Sequence, residues 1–133
     1  MIKVGDFFET SFQYSQEDVQ AFANVSKDTN PIHLDEKYAA NTIFKKPIIH
    51  GFLGGSIFSK IIGTDFPGEG NIYMKQNMTF RQPMYVDQSY KARVEVKELY
   101  AEKHRALLNT SILDENGKKV IVGEALVLNT EKL

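Results

Sequence analysis

From Tyr90 to Lys97 apolar and charged positions alternate without a break: Tyr90, Ala92, Val94 and Val96 interleave with Lys91, Arg93, Glu95 and Lys97. A period of two predicts a half-buried strand, one face on a core and the other in water. Two more strands are predicted over His104–Leu113 and Lys119–Asn129, separated by the turn signal Asp114-Glu115-Asn116-Gly117. Asn71 to Phe80 is a further candidate, ended by Pro83, and Phe7 to Phe12 a weak first strand.

The first half of the chain has helical periods instead. In Ser15-Gln16-Glu17-Asp18 the serine can cap free amides, and two acids sit at the positive end of a helix dipole. Val19, Phe22 and Ala23 then give one apolar face. This helix is expected to stop near Val25, because Asp28 to Pro31 is rich in turn formers. A short second helix is predicted from Asp35 to about Asn41. The stretch from Gly51 to about Ile62 is apolar on most sides, which marks a buried helix. Gly54 and Gly55 each cost such a helix about 1 kcal/mol relative to alanine. A sheet or a ligand must therefore approach the backbone there, and at least one of the two is assigned to packing. An antiparallel sheet curved around one buried helix is an α+β architecture.

With 133 residues, 42% of them hydrophobic, and no repeat or linker, residues 1–133 are expected to form a single domain with a real core. Sixteen Lys and Arg against 17 Asp and Glu, all scattered, provide no basic patch, so neither nucleic acid nor a membrane is expected as a partner. The absence of cysteine excludes disulfides, thiolate nucleophiles and cysteine-ligated zinc. No stretch approaches the roughly 18 apolar residues needed to span a bilayer. Met1-Ile2-Lys3-Val4-Gly5-Asp6 lacks the apolar run of a secretory signal, so a cytoplasmic location is expected.

Unusual chemistry concentrates in two segments. Asp28 and His33 lie five positions apart across a turn held by Asn30 and Pro31, so a carboxylate and an imidazole can share one water molecule. Asn30 can bond locally to the backbone and hold the turn open. In Pro47-Ile48-Ile49-His50-Gly51, the glycine falls at the start of the buried helix, where N–H groups lack intrahelical partners. Those amides and the helix dipole suit a developing oxyanion, and a residue without a side chain lets a carbonyl oxygen approach. His50 either meets substrate or holds the loop carrying Gly51.

The run Asp28-Thr29-Asn30-Pro31-Ile32-His33-Leu34-Asp35, followed by Ala40 and His50-Gly51, resembles the MaoC-like (R)-specific enoyl-CoA hydratases of the hotdog fold. The resemblance implies an antiparallel sheet wrapped around one long helix. It implies a hydro-lyase of fatty acid metabolism, converting trans-2-enoyl-CoA reversibly to (3R)-3-hydroxyacyl-CoA. Asp28 and His33 would activate the water and Gly51 N–H would hold the thioester oxygen. Ser56 matches a position near the acyl end of the pocket; read from its own helix it either lines that pocket or bonds back to the preceding turn. Asn30, His50, Phe52, Ser56 and Arg81 make up the expected substrate-side set, with Arg81 and Asn77 as candidates for the coenzyme A arm. No cofactor is implied beyond the coenzyme A of the substrate, and a homodimer or higher homo-oligomer is expected, because one unit leaves a sheet edge open.

The family pattern has glycine immediately before the catalytic aspartate, where this chain has Lys27; a positive φ there would strain lysine and affect the reach of Asp28. Three rival readings share these residues. One is a hotdog acyl-CoA thioesterase and another a non-catalytic acyl-CoA-binding module. The third is a metal site drawn from Asp28, His33, Asp35 and His50. The bulk of Phe52 and Phe58 hints at a short acyl pocket, and His104 is taken for a strand residue without a role.

Overall fold

The computed structural model describes residues 1–133. The alternation along 90–97 is realised residue for residue: Tyr90, Ala92, Val94 and Val96 are buried and their charged neighbours are not. This strand, β3 (Tyr90–Tyr100), outruns the alternating stretch and carries a register shift between Val96 and Glu98. It pairs with β1 (Phe7–Phe12) on one side and β4 (Arg105–Leu113) on the other. β5 (Lys119–Leu128) pairs with β4 and with β2 (Ile72–Phe80). All pairings are antiparallel, in the order β1-β3-β4-β5-β2. Two edges are therefore open, at β1 and β2, where one was expected.

Local chemistry accounts for the helices. Ser15 Oγ accepts from Asp18 N at 3.1 Å while Asp18 accepts from Ser15 N at 2.9 Å, a reciprocal cap that starts α1 (Gln16–Ser26). Two short helices follow, α2 (Pro31–Leu34) and α3 (Glu36–Ala40), capped by Asn30 and Asp35. The first of these was not predicted, because four residues are too few for a periodic signal. The long apolar helix α4 (Gly51–Lys60) runs on into a π turn, Ile61–Asp65. Its Leu53, Ile57 and Phe58, with Ile61 and Ile62, meet Val94, Val96, Leu108, Ile112 and Val120 in one apolar cluster.

A Cβ on Gly54 would lie 2.7 Å from Met84 Sδ, and one on Gly55 2.4 Å from Met78 Sδ, so both glycines seat α4 against its neighbours. Phe58 is wholly inside the core and does not bear on pocket size. His104 is not in β4: it has φ 54°, closes the 3-10 turn at Ala101–Lys103, and bonds the Leu133 carbonyl through Nδ1 at 2.6 Å.

Lys27 has φ 69° and ψ 8°, the left-handed closure of α1, with its N–H on the Ala23 carbonyl at 2.9 Å. The position does require the conformation that glycine adopts without penalty. Lys27→Gly is expected to raise stability by about 1 kcal/mol, read as a higher urea midpoint at unchanged m-value; no gain would mean that the lysine is not strained there.

Candidate active site

Asp28 and His33 both line a cavity of about 680 Å³ that opens beside the start of α4. What aims each of them is a bond to a group close by. Asp28 follows the left-handed Lys27, its N–H is held by Ser26 Oγ at 3.1 Å, and its Oδ1 accepts from Asn30 N at 3.2 Å. Asn30 in turn accepts from Ile32 N at 3.2 Å, which starts α2 and places His33 one turn later. Asn30 is thus a cap, and it does not line the cavity.

His33 is buried, at 8% exposure. Its Nδ1 lies 2.8 Å from the Ile48 carbonyl. A carbonyl only accepts, so Nδ1 carries a proton, and in the neutral ring Nε2 keeps its lone pair. Nε2 has no protein partner, and it is absent from the sealed, unpaired polar atoms, which are His50 Nδ1 and Arg105 Nε. It therefore reaches the solvent of the cavity. Burial and the neighbouring His50 push the imidazole below the ordinary value of about 6.5, against the Ile48 carbonyl and Asp28, which favour its charged form. A neutral imidazole with an accessible Nε2 beside a carboxylate is a general base with a partner to orient water.

The adjoining wall comes from residues 48–51. Ile48 N–H bonds the Ile32 carbonyl at 3.2 Å and Ile49 N–H the Met84 carbonyl at 2.8 Å, so this stretch clamps α2 to the loop after β2. α4 then begins without a side-chain cap. The N–H groups of Gly51, Phe52 and Leu53 bond no protein acceptor, and the first intrahelical bond is Gly54 N to His50 O at 3.0 Å. The Phe80 ring crosses Gly51, and a Cβ there would meet it at 2.7 Å. The glycine is thus the only residue type that leaves this N–H open to a ligand oxygen without moving the ring.

Of the other predicted residues, His50, Phe52 and Arg81 line the cavity. Ser56 does not: it is exposed, and its Oγ donates to the Leu53 carbonyl at 2.6 Å, within its own helix. Asn77 is also elsewhere, accepting from Glu124 N at 3.1 Å between β2 and β5. Ligand atoms of Asp28, His33 and His50 lie within 4.8 Å of one another, a set that resembles part of the metal reading. Asp35 is not among them and caps α3 through Tyr38 N. Both histidines spend one nitrogen on a main-chain carbonyl.

The sequence did not point to Phe22, Ser26, Phe44, Gln82, Met84 and Ile121, which also line the cavity. Their signal was merely apolar or polar. Nor did it reveal the Ile48 carbonyl that selects the His33 tautomer, since a main-chain group carries no residue identity.

No helix is long and apolar enough to cross a membrane. The chain is 40% identical over 126 residues to an (R)-specific enoyl-CoA hydratase of Aeromonas caviae, covering 95% of this chain and 94% of the relative. The solved (R)-hydratase from A. caviae superimposes with a TM-score of 0.93 at 40% identity, over 96% of this chain and 97% of that one. An R-hydratase from Pseudomonas aeruginosa does so with a TM-score of 0.91 at 39% identity, over 96% of this chain and 82% of that one. The sheet wrapped on α4 is therefore the hotdog arrangement of the R-hydratases. A family model described as the MaoC-like domain matches residues 5–117, which contain the whole 28–51 constellation, and on these grounds the chain belongs to the MaoC-like domain family.

Proposed function

We propose that this protein is a hydro-lyase that adds water reversibly to a trans-2-enoyl-CoA, giving the (3R)-3-hydroxyacyl-CoA. The observation that carries the proposal is His33, its Nδ1 on the Ile48 carbonyl and its Nε2 open to the cavity, beside the Asp28 carboxylate and the unpaired N–H of Gly51. The activity borne in the name of the A. caviae relative supports the same reading.

Asp28 and His33 hold one water; His33 Nε2 takes its proton as the hydroxyl adds to C3. Electron density moves through C2 to the thioester oxygen, where Gly51 N–H and the uncapped end of α4 meet it. The pair then returns the proton to C2, so the product contains all three atoms of the water. Arg81, at the rim after β2, offers a planar cation for a phosphate of the coenzyme A arm. No cofactor takes part in this scheme.

The test is incubation with crotonyl-CoA, following loss of the conjugated enoyl absorbance, release of free thiol, and the configuration of the product. Enoyl loss without thiol release, giving the 3R product and unaffected by EDTA, is expected. Thiol release from a saturated acyl-CoA would instead indicate a thioesterase, and tight binding without turnover a binding module.

The low-lying titration of His33 has two consequences of the same sign. The base stays neutral to below about pH 6.5, so the acid limb of kcat/KM is expected to have its midpoint under that value. The unfolded chain takes up this proton more readily than the native one. The stability contributed by His33 is therefore complete above the unfolded value and is lost as pH falls below it. An acid limb centred above pH 6.5 would contradict both.

A homodimer is part of the proposal. β2 is an edge strand with no buried residue along its nine positions, and Ile72, Tyr73, Met74 and Phe80 are all exposed on it. An apolar, unpaired edge of this kind invites a second copy. Sedimentation equilibrium is expected to give twice the 15.1 kDa chain mass; a monomer of full activity would refute the dimer.

A further inference from the structure

His50 is the last residue before α4 and is 2% exposed. Its Nε2 lies 3.0 Å from the main-chain carbonyl of Asp28, which only accepts, so Nε2 carries the proton. Nδ1, a lone pair in the neutral ring, is sealed from solvent with no partner. The ring lies against His33, with centroids 3.8 Å apart and planes 26° apart, and meets Phe22 at 4.9 Å. A leucine would fill this apolar slot without burying an unpaired acceptor, so space filling alone does not account for an imidazole.

The groups that surround it are the ones the reaction uses. The Nε2–H bond ties down the main chain of Asp28 immediately after the left-handed Lys27. The stack holds the plane of His33, whose other restraint is the single bond from Nδ1 to Ile48. The next residue is Gly51, so one ring joins the water-activating pair to the oxyanion amide. We propose that His50 is a positioning residue that locks Asp28 and His33 in register with the Gly51 N–H, acting through these two residues and not on substrate. This rests on the hydration reading and adds to it a residue that sets turnover without touching the reacting atoms. The charged or titratable groups facing His33 are Asp28 from the preceding loop and His50 from the start of α4, and Arg81 lines the same cavity. Removing His50 thus also removes a neighbour that opposes protonation of His33.

The experiment compares wild type with His50→Leu, which keeps volume but no donor, and His50→Gln, whose amide can still donate to the Asp28 carbonyl. Each is assayed on crotonyl-CoA for kcat, KM and the pH profile of kcat/KM, with its fold checked by circular dichroism. For the leucine variant kcat is expected to fall by about tenfold or more, with KM within about twofold and the acid limb moved to higher pH. The glutamine variant regains most of kcat but keeps the displaced acid limb, which a merely structural residue would not do. A folded leucine variant with the kcat and acid limb of wild type overturns the proposal. Should the leucine variant not fold, the glutamine profile and the wild-type imidazole nitrogen resonances decide. A proton on His50 Nδ1, or a wild-type acid limb in His50→Gln, overturns it equally. If wild type itself does not hydrate crotonyl-CoA, it is the parent reading that fails.

Discussion

Crotonyl-CoA hydration is expected to fall by at least about 10³-fold in both Asp28→Asn and His33→Ala, because each removes half of a general acid–base pair. The asparagine keeps an oxygen for the Asn30 N–H bond at 3.2 Å, so the turn survives while the charge beside the water is lost. The alanine removes the accessible Nε2 and with it the bond from Nδ1 to Ile48. That variant is therefore also expected to melt earlier, whereas Asp28→Asn is not, since Asp28 is exposed. The double variant is expected to be no worse than the poorer single one, as befits residues that act on one water. KM, circular dichroism and kcat measured together are the check. Turnover near wild type in either folded single variant would reject the assignment of this pair.

The second large effect lies far from the chemistry. A Cβ on Gly123 would sit 1.9 Å from the Asn77 carbonyl oxygen and 2.8 Å from its carbon, both of them backbone. No side-chain rotation relieves such a clash, so Gly123→Ala must push β2 away from β5. The strain and the lost ladder are expected to cost about 3 kcal/mol. The bond from Glu124 N to Asn77 Oδ1, which spans the same pair of strands, is lost with them. β2 is an edge strand and leads into Arg81, Gln82 and Pro83, so loosening it removes one wall of the cavity. A lower urea midpoint together with reduced kcat/KM is the expected result. A variant as stable as wild type would show that the sheet absorbs the methyl without opening.

These two cases differ in how far they could be foreseen. Asp28 and His33 stand out because their types and spacing are chemical in themselves, and their turn is built from neighbours within a few residues. Gly123 gives no such sign: its partner Asn77 is 46 positions away, and only the pairing of β2 with β5 brings a carbonyl against it. Ser56 is a different case. A serine on a helix can face a pocket or bond back to its own turn, and local sequence does not choose; here it bonds Leu53. Asn30, expected on the substrate side, is occupied in capping α2.

What the sequence by itself determined is what depends on near neighbours. It determined which face of β3 is buried, where α1 starts, that α4 is apolar on most sides, and that a carboxylate and an imidazole flank one turn. Periodicity and capping act within about four residues, so they can be read along the chain. Tertiary structure alone decided which His33 nitrogen is free, because the carbonyl that chooses it belongs to Ile48, fifteen positions on. It likewise decided that His50 reaches back 22 positions to the Asp28 carbonyl, and that α4 begins uncapped beside the same cavity. A main-chain carbonyl is the same on every residue. Where it points, and so which lone pair stays open for chemistry, is settled only when distant segments pack.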